Sequence, residues 1–146
     1  MTPCYFAPIS HWKEIINGNI IWELNQNYNK QTLRNRTNIY GANKILSLSI
    51  PIKHSNDYFT LKDAIIENDF QWQKDHWKSI QSSYKSSPFF EFYEDGLKKL
   101  YFNNYNKLSV FNIECIKLVY EWLDINNKFN FTKRFKEKYN NEIDLR

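Results

Sequence analysis

Ile45-Leu46-Ser47-Leu48-Ser49-Ile50 and Trp72-Gln73-Lys74-Asp75-His76-Trp77-Lys78-Ser79-Ile80 decide the fold, because the hydrophobic period changes between them. The first stretch alternates apolar residues with serine, the period-two pattern of a strand with one buried face, and Pro51 marks its edge or end. In the second, Trp72, His76, Trp77, Ile80 and then Tyr84 fall on one face at a period of about 3.6, which predicts a helix begun near Asn68-Asp69. Working outward toward the N-terminus, Thr2 to Phe6 suits a first strand. Ser10 as N-cap and Gly18 as C-cap bracket a short helix over about 10–17. Ile20 to Leu24 is rich in strand formers, Tyr28 to Arg36 reads as extended, and Thr60 to Ile66 is a further strand candidate. Toward the C-terminus, Ser87-Pro88 reads as a helix start, and Phe89, Phe92, Tyr93, Leu97, Leu100 and Tyr101 form its apolar side. Leu108, Phe111, Cys115, Leu118, Val119 and Trp122 trace a third helical stripe, while Phe131 to Arg146 is charged and weakly periodic. Together these predict an α/β fold, with a mixed β-sheet from the N-terminal half, helices packed on it, and a helical C-terminal half.

The 146 residues suit one domain, and 26 aromatic side chains supply a large core. The net charge of +4 is spread from Lys13 to Lys138. That distribution favours a small anionic ligand over extended nucleic acid. Cys4 and Cys115 stand far apart without C-x-x-C spacing, so neither a disulfide framework nor a zinc site is expected. Three glycines leave no room for a dinucleotide fingerprint or a P-loop, and no cofactor or metal is expected. Without an apolar run of about 20 residues or a signal segment, the chain reads as cytoplasmic, with no membrane span.

The candidate chemistry lies in few residues. If Tyr28 to Arg36 is extended, Lys30, Arg34 and Arg36 share one face, and two arginines two apart offer forked donors to a carboxylate or phosphate. A solvated strand face or an ion-pair network would use the same residues. Asn35, on the opposite face, would bind a sugar hydroxyl or tie a turn. His76 is the candidate general base, since its side chain titrates near neutrality. Its place in an aromatic stripe equally suits a half-buried structural histidine. His54, past a strand end, is a candidate binding residue at a cleft, whereas Cys4 reads better as an inert buried thiol than as a nucleophile.

Four blocks in order carry a family resemblance: Tyr5-Phe6-Ala7-Pro8 with Trp12; Tyr28 to Arg36 running on through Ile39-Tyr40-Gly41-Ala42-Asn43 to Leu48-Ser49-Ile50-Pro51-Ile52; Trp72 to Ile80; and Tyr84-Lys85-Ser86-Ser87-Pro88-Phe89-Phe90-Glu91-Phe92-Tyr93. From about residue 4 to about residue 125 the chain resembles the WbqC-like protein family, bacterial proteins often encoded with surface-polysaccharide (O-antigen) genes. The resemblance implies a single WbqC-like domain over 1–146. It also implies that a C-terminal section rich in proline, tyrosine and phenylalanine is missing after Glu142-Ile143-Asp144-Leu145-Arg146. In function it implies a transferase of polysaccharide biosynthesis acting on a nucleotide-activated or lipid-linked sugar, with glycine or another acyl donor passed to an amino sugar. Lys30, Arg34 and Arg36 would hold the anionic part of the substrate, and His76 would assist proton transfer. The alternative is a non-catalytic module binding nucleic acid or a partner protein, whose interleaved lysines and aromatics would track a backbone and stack bases.

Overall fold

The computed structural model describes residues 1–54, 57–126 and 128–135. The tail beyond residue 135 lies outside the described residues. The architecture is mixed α/β, with helices filling the C-terminal half. In chain order it runs α1 (Ile9–Asn17), β1 (Ile21–Trp22), β2 (Arg36–Tyr40), β3 (Ile45–Ser49), α2 (Trp72–Tyr84), α3 (Phe90–Phe102), α4 (Leu108–Trp122) and β4 (Asn130–Phe131). Strand pairing is mixed but small. β2 and β3 form an antiparallel hairpin in which Thr37 faces Leu48 and Tyr40 faces Ile45, and β1 pairs in parallel with β4.

Several segments expected to be strands are not. Thr2 to Phe6 runs as irregular chain whose Tyr5 amide donates to the Leu33 carbonyl at 2.9 Å. Tyr28 to Arg36 does not extend: Gln31 takes a left-handed φ of 59°, and the amides of Asn35 and Arg36 both turn back to the Thr32 carbonyl. Local turn hydrogen bonding, supplied by polar residues in that stretch, outweighs period-two alternation. Thr60 to Ile66 makes isolated bridges only, because the Asp63 and Ala64 amides close a turn onto Thr60. Helix starts also move. α1 begins at Ile9 with Pro8 at its cap, ahead of Ser10. α3 begins at Phe90, Ser87-Pro88 forming the turn before it, and α2 begins at Trp72.

α4 occupies the centre, burying residues on two sides. One side places Phe111 and Cys115 in the main core with Tyr5, Leu48, Trp72 and Leu100; the other places Ile116 and Tyr120 against Ile15 and Trp22. Phe111 is fully buried, with the rings of Tyr5, Trp72, Tyr101 and Tyr105 around it at centroid separations of 5.1–6.1 Å. The Trp72 and Tyr105 rings meet it edge-on and the other two are tilted; an edge-on contact adds roughly 0.5–1.5 kcal/mol beyond area burial. Next to it, Asn112 is also fully buried. Its amide nitrogen donates to the Pro3 carbonyl at 3.0 Å and to the Arg34 carbonyl at 2.8 Å.

Replacing Asn112 by leucine keeps the branched heavy-atom outline, at a larger volume, and leaves both carbonyls buried without a donor, a penalty of about 3 kcal/mol. The urea midpoint should fall accordingly at unchanged m-value. A loss below about 0.5 kcal/mol, the scale of a neutral surface substitution, would show the clamp to be dispensable.

Candidate functional site

A groove of about 530 Å³ opens where the N-terminal segment, the β2–β3 hairpin and the three long helices meet. Phe6, Ala7, Pro8 and Ile9 form one wall, and Leu33 with Thr37, Asn38 and Ile39 of β2 forms the next. Leu48, Ile80, Phe90 and Leu97 are buried and make the floor, with Tyr84, Phe89, Tyr93 and Trp122 around it. Helical period puts Ile80 and Tyr84 on the same face of α2, and Phe90, Tyr93 and Leu97 on the same face of α3. Gly96 lets α3 approach α4, since a Cβ there would lie 2.8 Å from Leu118 Cδ1 and 3.4 Å from Trp122 Nε1. The volume and the aromatic, apolar lining are those of a small-ligand site.

The wall at Phe6 is strained. Its φ of 47° is left-handed for a bulky residue, a conformation that costs about 1–3 kcal/mol. It persists because Phe6 is held on several sides. Its carbonyl accepts from Thr37 Oγ1 at 3.4 Å, its backbone meets the buried Cys115 thiol, and its ring lies 5.5 Å from that of Tyr5. Strain at a cavity wall is a signal of function that composition cannot carry.

None of the six residues singled out from sequence lines this groove. Lys30 is exposed on the turn. Arg34 is only 7% exposed; its Nη2 donates to Gln26 Oε1 at 2.7 Å, its Nη1 to Thr32 Oγ1 at 3.3 Å, and its Nε has no partner. Burial lowers its pKa. Its neighbours Cys4 and Tyr28 are themselves pushed up by burial, to about 11 and about 12, so they stay neutral beside it at pH 7. Asn35 is buried, its Nδ2 donating to the Ile50 carbonyl at 3.1 Å. Arg36 is half-buried and reaches across the hairpin to Ser49 Oγ at 3.0 Å. His54 is exposed in the loop after Ile52. The shared cationic face expected of Lys30, Arg34 and Arg36 therefore does not form, because a turn replaces the strand that would have aligned them.

His76 is 6% exposed, inside the core. Its Nδ1 lies 3.0 Å from the Tyr5 hydroxyl, which lies 2.5 Å from the Tyr101 hydroxyl, and the imidazole also bonds the Ser49 backbone. The two hydroxyls and the imidazole thus form one buried chain of hydrogen bonds. Burial, the largest cause, lowers the His76 pKa to about 4, against smaller opposing contributions from Ser49 and Asp75. The imidazole is neutral at pH 7 and ties α2 to the N-terminal segment and to α3.

Among the described residues, no three His, Cys, Asp or Glu side chains gather as a metal set, and no helix is long and apolar enough to cross a membrane. A second cleft between α3 and α4 is lined by Asp95, Lys99, Glu114, Lys117 and Glu121, acids and bases interspersed. The groove was missed from sequence because its helix and strand residues read as ordinary core positions, and the rest of its wall lies in turns where periodicity is silent. The available signal was apolar residues in turn positions: Phe6-Ala7-Pro8-Ile9, Leu33, and Phe89 directly after Pro88.

The model of the WbqC-like protein family matches residues 3–145, well past the stretch on which the resemblance was first drawn. No curated protein and no solved structure matches the chain.

Because His76 is buried neutral and titrates near 6.5 once unfolded, the unfolded state binds the extra proton between about pH 6.5 and 4. Its contribution to stability is full above pH 6.5 and falls by about 3 kcal/mol as pH drops through that window. Chemical denaturation of wild type and His76→Gln at pH 7 and pH 4 should show the variant losing less stability over the interval. Equal losses would mean the ring protonates in the native state.

Proposed function

The chain belongs to the WbqC-like protein family, and from that premise we propose that it is a transferase of bacterial surface-polysaccharide biosynthesis whose substrate docks in the groove. Family membership itself is consistent with a role associated with polysaccharide biosynthesis. The finer reading is transfer of glycine or a similar acyl group onto the amino group of a nucleotide-activated or lipid-linked sugar.

One observation carries it. Segments far apart in the chain, the same ones on which the resemblance rests, converge on a single cavity: Phe6 to Pro8, Leu33, Ile39 and Leu48, Ile80, and Tyr84 to Tyr93. A purely structural core would bury these residues completely. Here Phe89, Tyr93 and Leu33 stay exposed at the edge of an open space.

The chemistry suits such a site. The unprotonated amine attacks the donor's activated carbonyl carbon: the C–N bond forms, the carbonyl carbon's bond to the activating group breaks, and that group leaves with the electron pair. The amine's surplus proton passes to it or to water, so no strong base is needed and holding the two partners in line is a large term. Lys30 and Arg36, whose side chains keep contact with solvent, are the cations offered to the anionic part of a donor. Arg34 is committed to Gln26 and Thr32.

The test is a transfer assay read by mass spectrometry, with activated glycine as donor and amino-sugar acceptors, either nucleotide-linked or lipid-linked. Wild type should give the aminoacylated sugar. Ser87→Trp should fill the groove and lower turnover at least about tenfold, with stability held within about 0.5 kcal/mol, since the Ser87 side chain is exposed. Absence of product with every acceptor, together with single-stranded DNA binding that fades with salt, would replace the transferase by a binding module.

A further inference from the structure

We infer that the groove takes the neutral hydrocarbon tail of a lipid-linked sugar, which selects between the two substrate classes left open above. The inference rests on the groove being the substrate site. None of its described lining residues is Lys, Arg, His, Asp or Glu. A phosphate is carried by both classes, and burying it without a cation or an array of amide donors is heavily penalised, so it stays at the mouth in either case. A nucleotide sugar then has only polar base and sugar to offer the groove, whereas a lipid-linked sugar has a hydrocarbon tail, which asks for nothing but the apolar contact that the floor of Leu48, Ile80, Phe90 and Leu97 supplies.

The surface around the mouth continues the same chemistry. Ile9 is 89% exposed and Phe89 66% exposed, and Phe92, itself 71% exposed, lies beside Phe89 with ring centroids 6.4 Å apart. Large side chains left in water at a groove's edge extend its apolar track outward, as a tail longer than the cavity requires. A peptide occupant fits less well. Its backbone would need partners on the outer edge of β2, yet the Arg36 amide already donates to the Thr32 carbonyl and the Tyr40 amide to the Tyr84 hydroxyl at 3.1 Å. Of the polar side chains in the lining, Thr37 and Tyr84 are engaged with the Phe6 carbonyl and the Tyr40 amide, while Asn38 and Ser87 are exposed at the mouth and would meet a head group.

The experiment is displacement of the neutral fluorophore N-phenyl-1-naphthylamine from the full chain by farnesol, by N-acetylglucosamine or by a uridine-diphosphate amino sugar, with the oligomeric state followed by light scattering. Farnesol should displace the dye, and the sugar and the nucleotide sugar should not. Leu33→Trp and Phe89→Lys, both at exposed positions, should each weaken farnesol about tenfold or more, the worth of one large apolar contact. Displacement by the nucleotide sugar or the free sugar but not by farnesol would overturn the lipid assignment while leaving the groove as the transferase's substrate site. A dimer that binds no probe, and that Phe89→Lys dissociates, would overturn both, making this face a contact between copies.

Discussion

The Asn112 amide, sealed on the central helix, holds the Pro3 and Arg34 carbonyls at once and so joins two stretches of chain that have no regular secondary structure of their own. The walls of the groove follow from that clamp. Fixing Pro3 sets where Tyr5 and Phe6 enter the core. Fixing Arg34 sets Leu33 on the groove side of its turn, and the Tyr5 amide then meets the Leu33 carbonyl. Phe111, one residue earlier, gathers four aromatic rings from the N-terminal segment, α2, α3 and the loop before α4. Helix packing is thus placed by apolar contact, and the irregular N-terminal third by a few buried hydrogen bonds whose loss is expensive.

Polarity is divided in a way that bears on function. The Tyr101–Tyr5–His76 chain of hydrogen bonds lies inside the core, where burial keeps each group neutral. The groove has an apolar lining and a strained Phe6 in its wall. Strain held in place by surrounding packing is a means of presenting a side chain where relaxed backbone would not put it. A site of this kind binds by shape and apolar area and contributes to a reaction by positioning, while any charge on a substrate must stay near solvent.

The C-terminal helices were legible from sequence because Trp72, His76, Trp77 and Ile80, and then Leu108, Phe111 and Cys115, repeat at the helical period and face one core. Of the hairpin, β3 was legible from the alternation at Ile45 to Ile50, while β2 begins where the extended stretch was expected to end. The first residues were not, since they are placed by hydrogen bonds to distant partners, Leu33 and Asn112 among them, and the Tyr28 to Arg36 stretch was not, since a turn closed on Thr32 replaces the strand that alternation suggested. The same limit explains the site. Arginine and histidine attract notice by type, but Arg34 and His76 are consumed by the fold. The groove residues are ordinary apolar side chains whose meaning comes only from being left uncovered together. The family blocks supply most of the segments that line the groove, through their apolar residues and not the charged ones.

The most direct measurement is a chemical-shift map of the amide and indole N–H groups as a prenyl-linked amino sugar is added to labelled protein. If the groove clamped open by Asn112 is the binding site, the amides of Phe6, Leu33 and Asn38 and the Trp122 indole should move together along one saturable curve. Shifts confined to Lys30, Arg36 and His54, with those four groups unmoved, would place binding on the basic surface and contradict the account.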